Sequence, residues 1–541
     1  MTKKKFVLLL LFLLAVFSRF YRLDTYPSGF YSDESLYGYE AYSLLNTGKD
    51  EYGQNFPIFF KAFGDFRPGL YIYSSVPFIQ LFGLNEFSTR LPSALMSVTT
   101  AIVVYLLAKE LFGKWKISTI STFIYIISPW NLQFARMSHE TNLATLLVVI
   151  AILLFIKGLK KGNLFHLSLT LFSLSLYSYY DTRVFVPLFL PFLLLNFRSK
   201  ILKQKTHIIR AVFIFFLILL PLFILLSRNN SGWSRVSEIS FWGDKGILAD
   251  IIKYRSEDGI TSNRVGVIYH NKFIDSSISF IHNFLVHFDH SFLFTKGDPV
   301  NIYNTPNVGI IYIAEAIFAV VGFYHLIRTK NGYLFIITAW LVIGILPDAL
   351  TRLTPSSARI HLTMPLISLL AGYGSYQMLI YFVSKSRPYL LIPGFLVLFL
   401  ILQFGYYIHQ YYFHLPIEYA AQWHYGLREV YKQVALRQNN YHKIWLSKNV
   451  WGWINLLFYL KYDPGKIQQQ IVLSEVNEYG LGWVYGFDKY IFDDFPKNMK
   501  DKTNILFVGT PQDFQYIRHP LATVYYPNGD RAFYITDNKS L

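Results

Sequence analysis

A chain of 541 residues that is 53% hydrophobic and only 15% charged, with a mean hydropathy of +0.31, is too apolar for a soluble enzyme of this size and points to a bilayer. The formal net charge of +17 does not argue for nucleic acid, because the basic residues fall in short clusters between apolar runs, as the positive-inside rule asks of a membrane protein. With no cysteine, disulfides, thiolate metal sites and cysteine nucleophiles are excluded.

Lys3, Lys4 and Lys5 precede the first apolar run, and Ser18-Arg19-Phe20 offers no small-x-small cleavage site. An uncleaved first helix with its N-terminus inside is therefore expected. The later cationic clusters are Lys109/Lys114/Lys116, Lys157/Lys160/Lys161, Arg198/Lys200/Lys203/Lys205, Arg328/Lys330 and Lys385/Arg387. Placing each on the cytoplasmic side predicts eleven spans, at about 5–20, 89–111, 117–134, 141–157, 164–180, 184–197, 208–226, 303–327, 333–350, 360–382 and 389–409. The segment 67–84 is apolar enough to cross, but a crossing there would put Lys109, Lys114 and Lys116 outside, so it is expected to lie along the outer surface. A twelve-span arrangement is the alternative.

This topology leaves loops 21–88 and 227–302 and the tail outside. A transmembrane domain, 1–409, and an extracytoplasmic α/β domain, 410–541, are expected. Strands are predicted at 443–447, 503–509, 522–527 and 532–537, and a helix over Tyr425–Gln438.

Two acidic sites stand out. Ser32-Asp33-Glu34-Ser35 opens an amphipathic helix, with Ser32 the expected N-cap. Carboxylates in a first turn face the positive end of the helix dipole, so by themselves Asp33 and Glu34 read as helix stabilisers. Glu140 closes Ser128-Pro129-Trp130-Asn131-Leu132-Gln133-Phe134-Ala135-Arg136-Met137-Ser138-His139-Glu140, where Arg136, four residues away, reads as an ion-pair partner on one helix face. The topology brings both acidic sites to the same side of the bilayer.

The stretches YSDESLYGYEAYSLLNTG (31–48), GDFRPGLYIY (64–73), LFGLNEFSTRLPSALMSV (81–98), LAKELFG (107–113) and SPWNLQFARMSHE (128–140), with weaker likeness at 296–316 and 358–374, resemble membrane glycosyltransferases of the GT-C fold. The branch is that of protein O-mannosyltransferases and the aminoarabinose transferase of lipid A. The resemblance implies that Asp33, with Glu34, is the acidic motif of the first outer loop, and that Glu140 is the acid of the second. It implies a polyisoprenyl-phosphate sugar donor, an acceptor hydroxyl on a protein, lipid or glycan, and inverting transfer at the outer face of the plasma membrane. Where many relatives have Lys-Pro-Pro, this chain has Arg67-Pro68-Gly69, and several carry Asp in place of Glu140. No WWD tripeptide occurs, which argues against the branch that transfers whole glycans to asparagine.

In that setting Asp33, Glu34 and Glu140 are the expected catalytic residues, with Asp33 the expected base and Glu34 expected to orient it or the sugar. Arg359 and then Arg67 are the expected phosphate ligands, since a guanidinium gives bidentate charge-assisted bonds to phosphate. Arg136 and His139 beside Glu140, and Asp181 and Arg183 in the turn between two spans, are the remaining substrate-binding candidates. His282, His287, Asp289 and His290 form a scattered set without the i, i+4 pair of a helical zinc site. A monophosphate leaving group carries less charge than a diphosphate and an arginine can neutralise it, so no obligatory metal is expected and a divalent metal is the weaker alternative. The competing functions are a flippase or transporter and a polymerase of lipid-linked glycans. A transporter is expected to carry charges within its spans, whereas here they concentrate at span ends and in loops.

Overall fold

The computed structural model describes residues 2–228, 245–257, 268–384, 391–450, 452–476, 482–496, 498–499, 504–514, 517 and 519–540. Lys385, Arg387, the start of the predicted strand 503–509 and the parts 229–244 and 258–267 of the loop 227–302 lie outside the described residues. Helices fall on all eleven predicted spans, and five helical stretches among the described residues are long and apolar enough to cross a membrane. The boundaries shift where local chemistry decides them. The predicted span 117–134 is two helices, Trp115–Ile127 and Pro129–Ala135, because Pro129 restricts Ser128 to an extended conformation (ψ 132°). The predicted span 303–327 becomes helical only from Ile313 to Arg328, and residues 301–312 are a short 3-10 turn followed by irregular chain. The segment 67–84 contains the helix Leu70–Phe82, whose 13 residues reach only about 20 Å.

The chain divides into two compact units. The first comprises residues 1–15, 99–132 and 143–405. Within it, helix Ile313–Arg328 packs on helix Met364–Val383 through small residues. A Cβ at Gly322 would collide with the Leu370 carbonyl, and one at Gly374 with that of Phe318, so these glycines let the two backbones approach closely.

The second unit comprises 16–98, 133–142 and 406–541. It holds the helix Ser32–Thr47, the hairpin Phe59–Ala62 and Asp65–Pro68, and a seven-stranded mixed sheet built from the tail. The sheet runs in the order 472–473, 484–487, 490–492, 443–446, 505–509, 531–537, 522–525, with the strand Lys443–Leu446 parallel to both neighbours. The described strands correspond to all four predicted ones, and the predicted helix 425–438 runs over Leu427–Arg437. Strands 472–473, 484–487 and 490–492 have no counterpart among the predicted strands; they are held by antiparallel pairing with one another. Phe507, Phe514, Ile505 and Tyr534 form a core beside the sheet, joined by Trp445 and Phe495.

Candidate active site

Helix Ser32–Thr47 begins one residue earlier in role than its sequence suggests. Tyr31 is the N-cap, and Ser32 is already helical. The Ser32 hydroxyl instead meets His424 Nδ1 at 3.0 Å and accepts from Asn455 Nδ2 at 3.2 Å. Burial pushes the His424 imidazole down to about 3, so it stays neutral there. Ser35 Oγ donates to Asn455 Oδ1 at 2.6 Å, and the helix ends on Gly48, whose φ of +69° suits a left-handed C-cap.

Successive residues on a helix diverge by about 100°, so Asp33 and Glu34 face different surroundings. Glu34 points inward. It is wholly buried, and its two oxygens receive Arg90 Nε at 2.9 Å and Nη2 at 2.8 Å. Glu34 Oε1 also accepts the Ser138 N–H at 2.9 Å, tying the helix start to the segment that carries Glu140. Arg90 spends its remaining reach on the carbonyls of Leu23, Pro27 and Gly29. Both oxygens of Glu34 are thus engaged by charge-assisted or backbone hydrogen bonds.

Asp33 faces Arg67 instead. Arg67 Nη2 lies 3.2 Å from Asp33 Oδ2, and the two side chains keep 15% and 13% of their surface exposed. The hairpin delivers Arg67, opposite Phe60 in the antiparallel register. One helical turn on from Asp33, Tyr37 donates its hydroxyl proton to Glu140 Oε2. Burial, with Glu140 next to it, raises the Tyr37 phenol well above its ordinary range and keeps it a donor. Burial alone would weaken the charge of Arg67, but Asp33, Tyr37 and Glu140 outweigh it and hold the guanidinium protonated. The unit thus gathers Asp33, Arg67, Tyr37 and Glu140.

The neighbours of Glu140 are positioned by polar contacts. Tyr71 shares its hydroxyl with Ser93 at 2.8 Å and Ser138 at 2.9 Å, and the His139 N–H donates to Ser93 Oγ at 3.2 Å. The His139 ring is buried, with Nδ1 accepting the Thr141 N–H at 3.2 Å. Arg136 departs from the ion pair its spacing suggested. It is buried and donates to the carbonyls of Ser18, Arg19, Tyr21 and Tyr26 and to the Tyr411 hydroxyl, so it caps the C-terminal end of the first helix, Lys3–Phe20.

The other candidates belong to the first unit. Asp181 is the buried N-cap residue of helix Thr182–Asn196. Arg183 stacks over Tyr180 at 4.5 Å, donates to the Leu176 carbonyl at 3.1 Å and borders an apolar cavity of about 800 Å³ lined by Leu190, Phe215 and Leu222 among others. Arg359 Nε lies 2.6 Å from Asp348 Oδ1. In the stretch 282–290, the helix Lys272–Leu285 gives way to a 3-10 turn, and His287 binds Asp348. Among the described residues no group of three or more His, Asp and Glu is arranged to hold a metal ion.

Tyr37, Arg90, Asp348 and Ser138 were not singled out from sequence. Tyr37 could have been, since it is four residues from Asp33 on one helix face. Arg90 lies within the stretch 81–98 that carries the family likeness, but nothing in its spacing pairs it with Glu34.

A family model described as dolichyl-phosphate-mannose-protein mannosyltransferase matches residues 68–224, a segment that includes Glu140 and begins after Asp33 and Arg67. Residues 68–224 are thus similar to a mannosyltransferase family, and the chain as a whole shares its fold with the solved structures that follow. The crystal structure of ArnT from Cupriavidus metallidurans in the apo state matches with a TM-score of 0.58 at 13% identity, over 99% of each chain. The same protein bound to undecaprenyl phosphate gives 0.55 at 12% identity, over 99% of this chain and 98% of that one. The Archaeoglobus fulgidus oligosaccharyltransferase in the apo form gives 0.51 at 12%, over 98% of this chain and 74% of that one. The Bacillus subtilis protein YkcB, provisionally described as a mannosyltransferase, is 28% identical over 137 residues, which are 24% of this chain. That match spans about a fifth (19%) of YkcB.

Proposed function

We propose that the protein moves a sugar from a polyisoprenyl-phosphate donor to an acceptor hydroxyl of a protein, lipid or cell-surface glycan, at the extracytoplasmic face of the plasma membrane. The observation that carries this reading is the partly exposed Asp33–Arg67 pair beside Tyr37 and Glu140, in a chain with the fold of ArnT. In the free protein Arg67 neutralises Asp33. An arriving phosphate competes for the guanidinium, and the carboxylate, released from its partner, accepts the proton of the acceptor hydroxyl. That oxygen bonds to the anomeric carbon as the bond from that carbon to the phosphate oxygen breaks on the opposite face. The configuration inverts, and the lipid phosphate leaves with the electron pair.

General-base assistance of this kind supplies about 10²–10⁴ in rate, and a cation on the departing phosphate supplies a term of similar size. Glu140, held by Tyr37, orients the acceptor or its sugar. Glu34 acts through the scaffold, by joining the first turn of the helix to Arg90 and Ser138. His139 shapes the segment around Glu140, and Arg359 is proposed to bind an anion. No obligatory metal enters this scheme.

The test is to incubate purified full-length protein in lipid nanodiscs with a panel of polyprenyl-phosphate sugars and membrane-extract acceptors, following the released polyprenyl phosphate. Acceptor-dependent release from at least one donor is expected. Absence of release across the panel, with well-folded protein, would contradict the reading and favour translocation of lipid-linked sugars.

A further inference from the structure

Residues 350–360 carry Arg359 between helix Leu334–Ala349 and the turn His361–Thr363. They have no regular secondary structure to hold them, yet they are pinned at several points. Asn283 Nδ2 donates to the Thr351 carbonyl at 2.9 Å, and Trp130 Nε1 to that of Ser357 at 3.0 Å. Asp298, buried, receives both the N–H and the hydroxyl of Ser357, at 2.5 and 2.7 Å. Asp348 does most. Its Oδ2 receives His287 Nε2 at 2.7 Å, Thr354 Oγ1 at 2.9 Å and the Ser356 N–H at 2.6 Å, while its Oδ1 lies 2.6 Å from Arg359 Nε.

Asp348 is wholly buried in the last turn of its helix, where the negative end of the dipole opposes a carboxylate. A buried charge in that place needs pairing and several hydrogen bonds, and it has both. The outcome is a guanidinium fixed in one orientation with 15% of its side chain still exposed. Fixing it beforehand removes the rotamer entropy that ligand binding would otherwise take.

We infer that Asp348 is a positioning residue that presets Arg359, on a loop pinned by Asp298, to receive a phosphate-class oxyanion. The substrate identity, the phosphate of a lipid carrier, rests on the transferase reading above. Inorganic phosphate shares the same chemistry.

The experiment measures binding of undecaprenyl phosphate to the full chain in nanodiscs, and of inorganic phosphate in a separate arm. The variants are Arg359→Gln, Asp348→Asn, Asp348→Glu and the double Arg359→Gln/Asp348→Asn, each checked for folding by thermal melting. Arg359→Gln and Asp348→Asn are each expected to weaken lipid-phosphate binding about tenfold, and Asp348→Glu to recover part of it. The double variant should bind no more weakly than Arg359→Gln alone, because Asp348 acts only through Arg359. Inorganic phosphate should compete less effectively in Arg359→Gln than in the wild type.

Losses that multiply in the double variant would overturn the inference, as would wild-type affinity in folded Asp348→Asn. So would lipid binding that neither inorganic phosphate nor Arg359→Gln disturbs, since the hydrocarbon chain alone would then account for it. If Asp348→Asn does not fold, Thr354→Val removes one hydrogen bond from Asp348 and leaves every charge in place. It should weaken binding by a smaller factor, and unchanged affinity there would contradict the inference. Absence of sugar transfer with this binding pattern intact counts against the transferase reading and leaves the positioning role standing.

Discussion

Asp33 and Glu34 are neighbours of the same charge in one helical turn, and their surroundings differ. Glu34 has no exposed surface and a bidentate partner in Arg90, whereas Asp33 keeps 13% of its side chain exposed against Arg67. Removing one charge of a buried pair leaves the other unpaired in a low-dielectric interior, at a cost of about 3–5 kcal/mol. Glu34→Gln is therefore expected to lower the melting temperature of the purified protein by several degrees, while Asp33→Asn changes it little. A Glu34→Gln variant that melts like wild type and is nevertheless inactive would move Glu34 from scaffold to chemistry. Sequence alone could not divide the pair, because the division depends on Arg90, 56 positions away.

At the scale of elements, helix Ser32–Thr47 and the turn that follows carry a second acidic group, Glu40, Asp50 and Glu51, all buried. Glu51 N–H donates to Glu40 Oε2 at 3.1 Å, and Trp453 Nε1 to Glu51 Oε2 at 3.2 Å. Burial first, and then the neighbouring carboxylates, push Glu40 well above the usual range and Glu51 up to about 8. The folded state therefore holds protons that the unfolded chain releases near its ordinary 4.5. The stability this confers is complete below that value and is lost as pH rises to about 8. Glu51→Gln keeps an acceptor for Trp453 and removes the titration. It should melt close to wild type at pH 5 and several degrees higher at pH 8.5, as thermal scans at the two values would read. A wild-type melting temperature that does not fall between these values would contradict the assignment.

What was legible at this scale follows from range. Apolar runs and lysine clusters are local signals, and the predicted spans coincide with helices. The surroundings of Arg136 are not local, because its partners are the carbonyls of Ser18 and Arg19 at the end of a helix and of Tyr21 and Tyr26 beyond it, more than a hundred residues earlier, and no side-chain spacing announces them. The short strands of the tail were missed for a related reason. The strand Val484–Phe487 carries Gly486 in its interior and takes its definition from its neighbours rather than from its own alternation.

For the whole molecule, an ArnT-like fold spans 99% of the chain, whereas the match to the mannosyltransferase family model covers only 68–224. Under the proposed function, a lipid-linked donor would stay in the bilayer while its phosphate reaches the surface. The fold does not choose the sugar. In the proposed function the Asp33–Arg67 pair is the resting state, and Asp33 becomes the base once a phosphate claims Arg67. The most direct measurement is single-turnover sugar transfer by Asp33→Asn against wild type, in protein of matched melting temperature and at saturating donor. A rate lower by about 10²–10⁴ is expected, with donor binding retained. Transfer by folded Asp33→Asn at the wild-type rate would contradict it.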